Sequence, residues 1–373
     1  MTNNQDVRHV IGISGGKDSA ALAIYLHDKH PELPLEYYFC DTGKELDETY
    51  ELIERLEAYL GKSVTKLETV ESDKDTPFDH FLEQYGGYLP SSISRWCTKK
   101  MKLEPFEKWV GTGPVISYVG IRDDENRDGY ISKKTNIQTI FPFRHNLWSE
   151  DVIRPMLAQA SIPFLHEAYA QQLSGDTLQR IQAILDRPIG KFYAQAKKLS
   201  DLLNVSALAF NHVTQTWMQA QERPYPIGQL NTYSLLDNED RLVKADIFRL
   251  LEESGVGVPE YYQERTYEVN GKVGRYARSR SGCFFCFYQQ KIEWVWLYEQ
   301  HPKLFKKAMQ YEKDGYSWSD EETLEELIQP ARIQKIKEDA LVAYEKAQSK
   351  KSENSPYLLD ILTEEDGCAA CFI

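Results

Sequence analysis

Near the start of the chain, Ser14-Gly15-Gly16-Lys17-Asp18-Ser19 combines the donors and the backbone freedom that holding a phosphate requires. The stretch follows a short apolar run, Val10–Ile13, that reads as a strand, and it opens Ala20–Leu26, which reads as a helix. A strand that delivers a Gly-Ser loop to a helix start leaves backbone N–H groups unpaired beside the positive end of the helix dipole. Gly15 and Gly16 permit close backbone approach and positive φ. Ser14 and Ser19 add hydroxyl donors and Lys17 adds a cation, so the whole loop is a candidate nucleotide-binding element, with Lys17 and Asp18 also candidates for catalysis. The spacing is much tighter than in the Walker loop, which places four residues between its first Gly and Gly-Lys-Ser/Thr. A Gly-rich turn of purely structural use is the alternative.

Other stretches carry further chemistry. Asp41-Thr42-Gly43-Lys44-Glu45 ends a strand-like run, where carboxylate and hydroxyl groups can meet a ribose, Mg²⁺ or the loop's own backbone; Asp and Thr also serve as helix caps. Arg95-Trp96-Cys97-Thr98-Lys99-Lys100-Met101-Lys102 sets one cysteine among cations, which favours thiolate and attracts anions. Gly120-Ile121-Arg122 leads into an acidic loop ending at Arg127, and the Arg122 guanidinium suits a phosphate. Arg95, Lys99, Lys100 and Arg122 are expected to form a cationic wall beside the anion site. Cys283-Phe284-Phe285-Cys286 is a C-x-x-C among aromatics, a spacing that fits a metal, cluster or redox site. Cys368 and Cys371 make a second such pair, so a Cys₄ zinc site is an alternative, although the separation far exceeds that of compact zinc ribbons.

These groups need elements to position them. Leu35–Cys40, Val64–Val70 and Val115–Gly120 read as strands, with a patterned helix over 46–60. Strands alternating with helices predict an α/β fold, a parallel twisted sheet with helices on both faces. Ligands then bind beyond the carboxyl ends of the strands, where the three polar loops lie. Residues 1–146 are expected to form the nucleotide-binding α/β domain and 147–240 a helical insertion, with helices over 177–185 and 189–203. Residues 241–300 are expected to return to the core domain with the C-x-x-C segment, and 301–373 to be a helical C-terminal region with a cysteine-containing tail.

Composition narrows the classes. The chain has 373 residues, 42% hydrophobic, enough for one large or two ordinary domains. A net charge of −13 argues against a protein that coats nucleic acid generally, without excluding a local basic groove. No apolar run approaches the ~18 residues of a membrane span, and the N-terminus does not read as a signal peptide. A cytoplasmic location is expected, with the six cysteines as ligands or reactive thiols rather than disulfides.

The Ser14–Ser19 loop resembles the S-G-G-x-D-S loop of the ATP pyrophosphatases, the PP-loop enzymes of the adenine nucleotide alpha hydrolase-like fold. Together with Asp41-Thr42-Gly43, Trp96-Cys97-Thr98, Glu104-Pro105, Gly120-Ile121-Arg122 and Gly282-Cys283 to Cys286, it occurs in the order seen in the phosphoadenosine phosphosulfate (PAPS) reductase family. The form of the Cys97 segment is similar to the DndC-type branch, the sulfurtransferases of bacterial DNA phosphorothioation and anti-phage defence. That resemblance implies an ATP-dependent sulfurtransferase that adenylates a nucleic-acid backbone phosphate. It implies Mg²⁺, DNA as acceptor with other proteins of the phosphorothioation system, and a cysteine desulfurase as sulfur donor. It also implies a [4Fe–4S] cluster held by Cys97, Cys283 and Cys286, with Asp18, Lys17, Arg122 and Cys97 catalytic. Ser14, Gly15, Gly16, Lys17, Asp18, Ser19, Asp41, Thr42, Gly43 and Gly120 are then the nucleotide-binding set. Other readings are a PAPS or adenosine phosphosulfate reductase using thioredoxin, a tRNA-thiolating PP-loop enzyme, and a nucleotide-sensing defence subunit. The departures are Trp96-Cys97 where cluster-bearing reductases have adjacent cysteines, and the unfamiliar setting of Cys368 and Cys371.

Overall fold

Strand residues alternate between two packed faces, and this alternation sets the architecture. In the computed structural model, which describes residues 7–69, 75–125, 131–222, 225–313 and 315–351, five parallel strands form one sheet. They are β1 (Arg8–Gly12), β2 (Leu35–Cys40), β3 (Val64–Leu67), β4 (Val115–Tyr118) and β5 (Ile137–Ile140), in the order β3-β2-β1-β4-β5. Ile11, Tyr37, Phe39, Ile116, Tyr118 and Ile140 pack into the larger core with α1 (Lys17–Lys29) and α2 (Asp47–Leu60). Val10, Tyr38, Cys40, Val115 and Ile137 face the other way, onto Phe106 and Val110. Both faces are covered, as an all-parallel sheet requires.

The chain winds outward from β1 in both directions, and the order reverses between β1 and β4. In the register, Ile11 stands opposite Tyr37 of β2 and Tyr118 of β4. A crevice therefore opens beyond the carboxyl ends of β1 and β4, the place where open α/β sheets bind ligands. The residues that follow these two strands are Ile13–Gly16 and Val119–Arg122.

Between the sheet and the C-terminal region lie α3 (Pro77–Gln84), α4 (Trp96–Thr98), a π-helical turn (Lys99–Leu103) and α5 (Glu104–Val110), the last three continuous. Then come α6 (Glu150–Met156), α7 (Ile162–Gln172), α8 (Gly175–Leu185), α9 (Gln195–Gln219) and α10 (Lys244–Glu253). Residues of α6–α10 join the same core cluster as β1 and α1. A second core gathers Phe78, Trp96, Phe285, Trp294, Phe305 and Trp318. It lies under the hairpin β6 (Arg265–Val269) and β7 (Lys272–Tyr276) and under α11 (Lys291–Gln300), α12 (Pro302–Met309), α13 (Leu324–Leu327) and α14 (Pro330–Lys351). Among the described residues, no helix is long and apolar enough to cross a membrane.

Several local expectations are corrected. The helix expected over 189–203 starts only at Gln195; Gly190 and Tyr193 bridge each other in a turn instead. Pro188 and Gly190 both oppose helix there. The third strand ends at Leu67 and the fourth at Tyr118. The short strand β5 and the β6–β7 hairpin were not anticipated, although Asn270-Gly271, with φ of 51° and 71°, is a primed-turn signal in plain view.

Candidate functional site

The Ser14–Ser19 loop leaves β1 and turns sharply into α1. Gly15 makes the turn at φ +72°, and a Cβ there would lie 2.2 Å from Thr49 Cγ2, so glycine is required on both counts. Gly16 is the residue before α1, and no side chain caps the helix. The Ser19 hydroxyl accepts from Ser14 N–H at 3.1 Å and donates to the Gly16 carbonyl at 3.1 Å, which braces the loop internally. A Cβ on Gly16 would meet Ser281 Oγ at 2.7 Å, Ser14 Oγ at 3.2 Å and the Tyr262 hydroxyl at 3.3 Å. Three hydroxyls, one from the loop itself and two from the distant C-terminal half, thus converge on the bare face of Gly16.

Lys17 and Asp18 are buried at the head of α1, at 2% and 4% exposure. Lys17 Nζ lies 3.2 Å from Asp18 and 4.8 Å from the Tyr262 ring centre. Arg122 Nη1 donates to Asp18 at 2.7 Å, and the same guanidinium pairs with Asp124 at 2.9 Å and Glu125 at 2.6 Å. Burial pushes the Asp18 carboxyl up, but Lys17 and Arg122 outweigh it and hold it down at about 2. Gly120 closes the crevice from the β4 side: a Cβ there would stand 2.7 Å from the Asp18 carbonyl oxygen. Ser14, Gly15, Gly16, Lys17, Asp18, Ser19, Gly120 and Arg122 therefore share one crevice.

Beyond β2, Asp41 and Thr42 bind their own loop. Asp41 accepts from Gly43 N–H at 2.7 Å and from the Tyr50 hydroxyl at 2.9 Å, and it pairs with Lys66 at 2.7 Å. Thr42 Oγ1 donates to Glu45 at 2.7 Å. Neither caps α2, whose preceding residue is Leu46. Burial first, then the nearby Asp41 carboxylate, raises Glu45 to about 7.

The expected cationic wall does not form as one surface. Arg122 is enclosed by carboxylates, and Lys100 pairs with Glu104 at 2.9 Å. Arg95 is exposed, lies over the Tyr288 ring at 5.2 Å and donates to the Ser92 carbonyl. Arg127 lies outside the described residues, as do Cys368 and Cys371.

Cys97 is half-buried in α4, just before the π-helical turn, and packs against the second core, as does Cys283. Cys283 and Cys286 share one tight turn, with Cys286 N–H donating to the Cys283 carbonyl at 3.1 Å. Thr42 Oγ1 lies 3.2 Å from Cys283 Sγ. Desolvation, then the Glu45 carboxylate, raises the Cys283 thiol well above its ordinary pKa, and desolvation raises Cys286 as well. A cluster needs deprotonated ligands. Among the described residues, no three His, Cys, Asp or Glu side chains are grouped as a metal would need. Cys97, Cys283 and Cys286 are thus not brought together as a ligand group among the described residues.

Sequence reasoning missed the part of the site that comes from the C-terminal half. The Tyr261 hydroxyl donates to the Gly15 carbonyl at 2.6 Å, and the Tyr262 hydroxyl accepts from Lys17 N–H at 3.4 Å. Arg278 N–H donates to the Tyr261 carbonyl at 2.9 Å, and Phe284 N–H to the Lys44 carbonyl at 2.8 Å. The C-x-x-C segment is thereby laced over the carboxyl edge of the sheet. No local motif marks Tyr261 and Tyr262; only their position beside the loop reveals them.

Comparison with known proteins finds the following similarities. Residues 8–169 match the phosphoadenosine phosphosulfate reductase domain. An uncharacterized protein of Methanocaldococcus jannaschii is 32% identical over 145 residues, 35% of this chain and 28% of that protein. The adenosine 5'-phosphosulfate reductase of Staphylococcus haemolyticus is 23% identical over 166 residues, 43% of this chain and 65% of that protein. The chain thus spans less than two thirds of the length of either curated relative. A crystal structure of PAPS reductase from Candida auris, in complex with phosphate, covers 50% of this chain and 82% of its own, at 19% identity and a TM-score of 0.28. Over residues 8–169 the chain is thus similar to the phosphoadenosine phosphosulfate reductase domain.

Proposed function

We propose that the chain is a nucleotide-dependent sulfurtransferase: ATP is held by the Ser14–Ser19 loop and split between its α and β phosphates, and the resulting adenylate activates an acceptor phosphate for sulfur. The observation that carries this reading is the Ser14–Ser19 loop, set at the switch point of the sheet within the stretch that matches the phosphoadenosine phosphosulfate reductase domain. The acceptor phosphate oxygen attacks the α-phosphorus and pyrophosphate departs with the bridging oxygen. A hydrosulfide-level sulfur then attacks the activated phosphorus and AMP leaves. The loop's backbone donors and the head of α1 stabilise the charge that grows on the pyrophosphate. Lys17 supplies a cation at that point, and Asp18 and Arg122 fix the geometry of the loop rather than touching the substrate. Mg²⁺ fits as a partner of the phosphate oxygens, since it keeps most of its waters and needs few protein ligands. DNA is the proposed acceptor and a cysteine desulfurase the proposed sulfur donor, on the resemblance of the Cys97 segment to the phosphorothioation branch; a cytoplasmic location and a role in anti-phage defence go with them.

A second reading is reduction of an adenylyl sulfate to sulfite by thioredoxin, favoured by the likeness to the Staphylococcus haemolyticus reductase. One experiment separates the two. Purified protein is given labelled ATP with Mg²⁺, sulfide and duplex DNA, or adenosine 5'-phosphosulfate with reduced thioredoxin. AMP and pyrophosphate formed only when DNA and sulfide are present support the transferase. Sulfite release in the second mixture with no ATP turnover in the first replaces it with the reductase.

A further inference from the structure

Arg278 is 2% exposed, among the most deeply buried large side chains of the protein. Its Nη2 donates to the Cys283 carbonyl at 3.0 Å, but Nε and Nη1 have no hydrogen-bond partner. Among the described residues no carboxylate pairs with it, in contrast to Arg122, which sits among Asp18, Asp124 and Glu125. A guanidinium stays charged at any physiological pH, so burying one with two nitrogens unsatisfied is costly. An unsatisfied buried donor of this kind calls for an explanation, and a bound ion supplies one.

The placement of Arg278 is fixed from three sides. Its own N–H is tied to Tyr261, whose hydroxyl is tied to Gly15 of the loop. The next residue, Ser279, donates through N–H and hydroxyl to the buried Glu293 at 2.6 and 2.9 Å. Ser281, in the same segment, points at the bare face of Gly16. Burial raises the Tyr261 phenol, and both Arg278 and Lys17 are near enough to oppose that rise, so the two cations flank one side chain. Arg278 therefore stands between the Ser14–Ser19 loop and the Cys283–Cys286 turn.

We propose that Arg278 is an anion-binding residue of this site, holding a tetrahedral oxyanion, phosphoryl or sulfuryl, between the Ser14–Ser19 loop and the Cys283–Cys286 turn. The inference deepens the functional reading above and rests on its premise that the loop takes an anionic ligand. Its chemistry is the match between a planar, permanently charged donor fork and the oxygens of phosphate or sulfate. The residue lies outside the stretch at 8–169 that matches the phosphoadenosine phosphosulfate reductase domain. Its position next to the Cys283 carbonyl would bring the bound group beside the cysteines.

The test uses the full chain, with Arg278→Met, which keeps length and removes charge, and Arg278→Lys, which keeps charge and removes the fork. Melting temperature is measured without ligand, and affinity for inorganic pyrophosphate and for inorganic sulfate is measured by calorimetry. Arg278→Met is expected to melt at or above the wild-type temperature, because an uncompensated buried charge is gone. It is expected to lose at least tenfold in affinity for one of the two ions, with Arg278→Lys recovering part of the loss. Loss for pyrophosphate identifies a phosphoryl subsite, and loss for sulfate a sulfuryl one. A lower melting temperature for Arg278→Met with both affinities within twofold of wild type would make Arg278 a structural brace and overturn the proposal. So would a wild-type protein that binds neither ion. ATP turnover plays no part in these measurements, so the transferase reading can fail while Arg278 passes, and the reverse.

Discussion

Arg122 donates to the Asp18 carboxylate at 2.7 Å across the crevice where the strand order reverses. One residue belongs to the loop after β4 and the other to the first turn of α1. Their contact joins the two lips of the crevice, and both side chains are almost wholly buried. The pair is a structural clasp: Arg122 already faces Asp124 and Glu125 as well, so its charge is balanced before any ligand arrives.

This clasp predicts a particular response to pH. Asp18 has a folded-state pKa held down at about 2, against an ordinary value of 3.8. Its stabilising contribution is complete above pH 4 and is lost as the pH falls towards 2. Asp18→Asn is expected to cost about 3–5 kcal/mol at pH 7, the range for removing one partner of a buried ion pair. In urea titrations the gap between wild type and variant should narrow steadily below pH 4. A gap that stays constant from pH 7 to pH 2.5 would show that the pair contributes nothing through its charge.

Gly15 and Gly16 are neighbours with different reasons to be glycine, and alanine should separate them. At Gly15 the positive φ and the 2.2 Å approach to Thr49 Cγ2 both penalise a side chain. Gly15→Ala is expected to lose about 2 kcal/mol or more of stability, combining left-handed strain with overpacking. Gly16 has φ −91°, which any residue adopts, and the atom nearest to an added methyl is the hydroxyl of Ser281. Gly16→Ala should therefore keep its stability within about 1 kcal/mol. Its nucleotide affinity should nonetheless fall at least tenfold, since the methyl occupies the face where the hydroxyls converge. Thermal melts and ATP calorimetry on both variants check this. Equal stability losses at the two positions would contradict the assignment.

How far the residues alone revealed this arrangement depends on sequence distance. The Ser14–Ser19 loop, β1, β2, β4 and α2 are legible because a local pattern specifies each of them: an apolar run, a Gly-Ser loop, a helical period. Doubly wound topology follows from the alternation of strands and helices. Arg122 reads as a phosphate ligand because guanidinium suits phosphate; the three carboxylates that enclose it include Asp18, far away in sequence. Tyr261, Tyr262 and Arg278 escaped notice for the same reason. Their roles depend on a hydrogen-bond chain from Gly15 to Tyr261 to Arg278, and no period or motif encodes a contact across that span. The cysteines show the opposite limit. C-x-x-C spacing is a strong local signal, yet it carries no information on the Glu45 carboxyl that stands beside Cys283.

Glu45 gives the last prediction. It is buried, accepts from Thr42 at 2.7 Å and from Lys44 N–H at 3.1 Å, and shares the Tyr50 hydroxyl with Asp41. Burial and the Asp41 charge lift its pKa from 4.5 to about 7. A carboxyl raised on folding stabilises the protein most below its unfolded pKa, and that contribution is lost as the pH rises from 4.5 through 7. Glu45→Gln cannot ionise, so relative to wild type it should gain stability between pH 5 and pH 8. The same substitution removes a negative charge beside Cys283, whose thiol is raised by desolvation and then by Glu45. Alkylation of Cys283 by iodoacetamide at pH 8, followed by mass spectrometry, should therefore be several-fold faster in Glu45→Gln than in wild type, because only the thiolate reacts. A slower or unchanged rate, with Cys97 labelling as an internal control for accessibility, would mean that desolvation alone governs the Cys283 thiol.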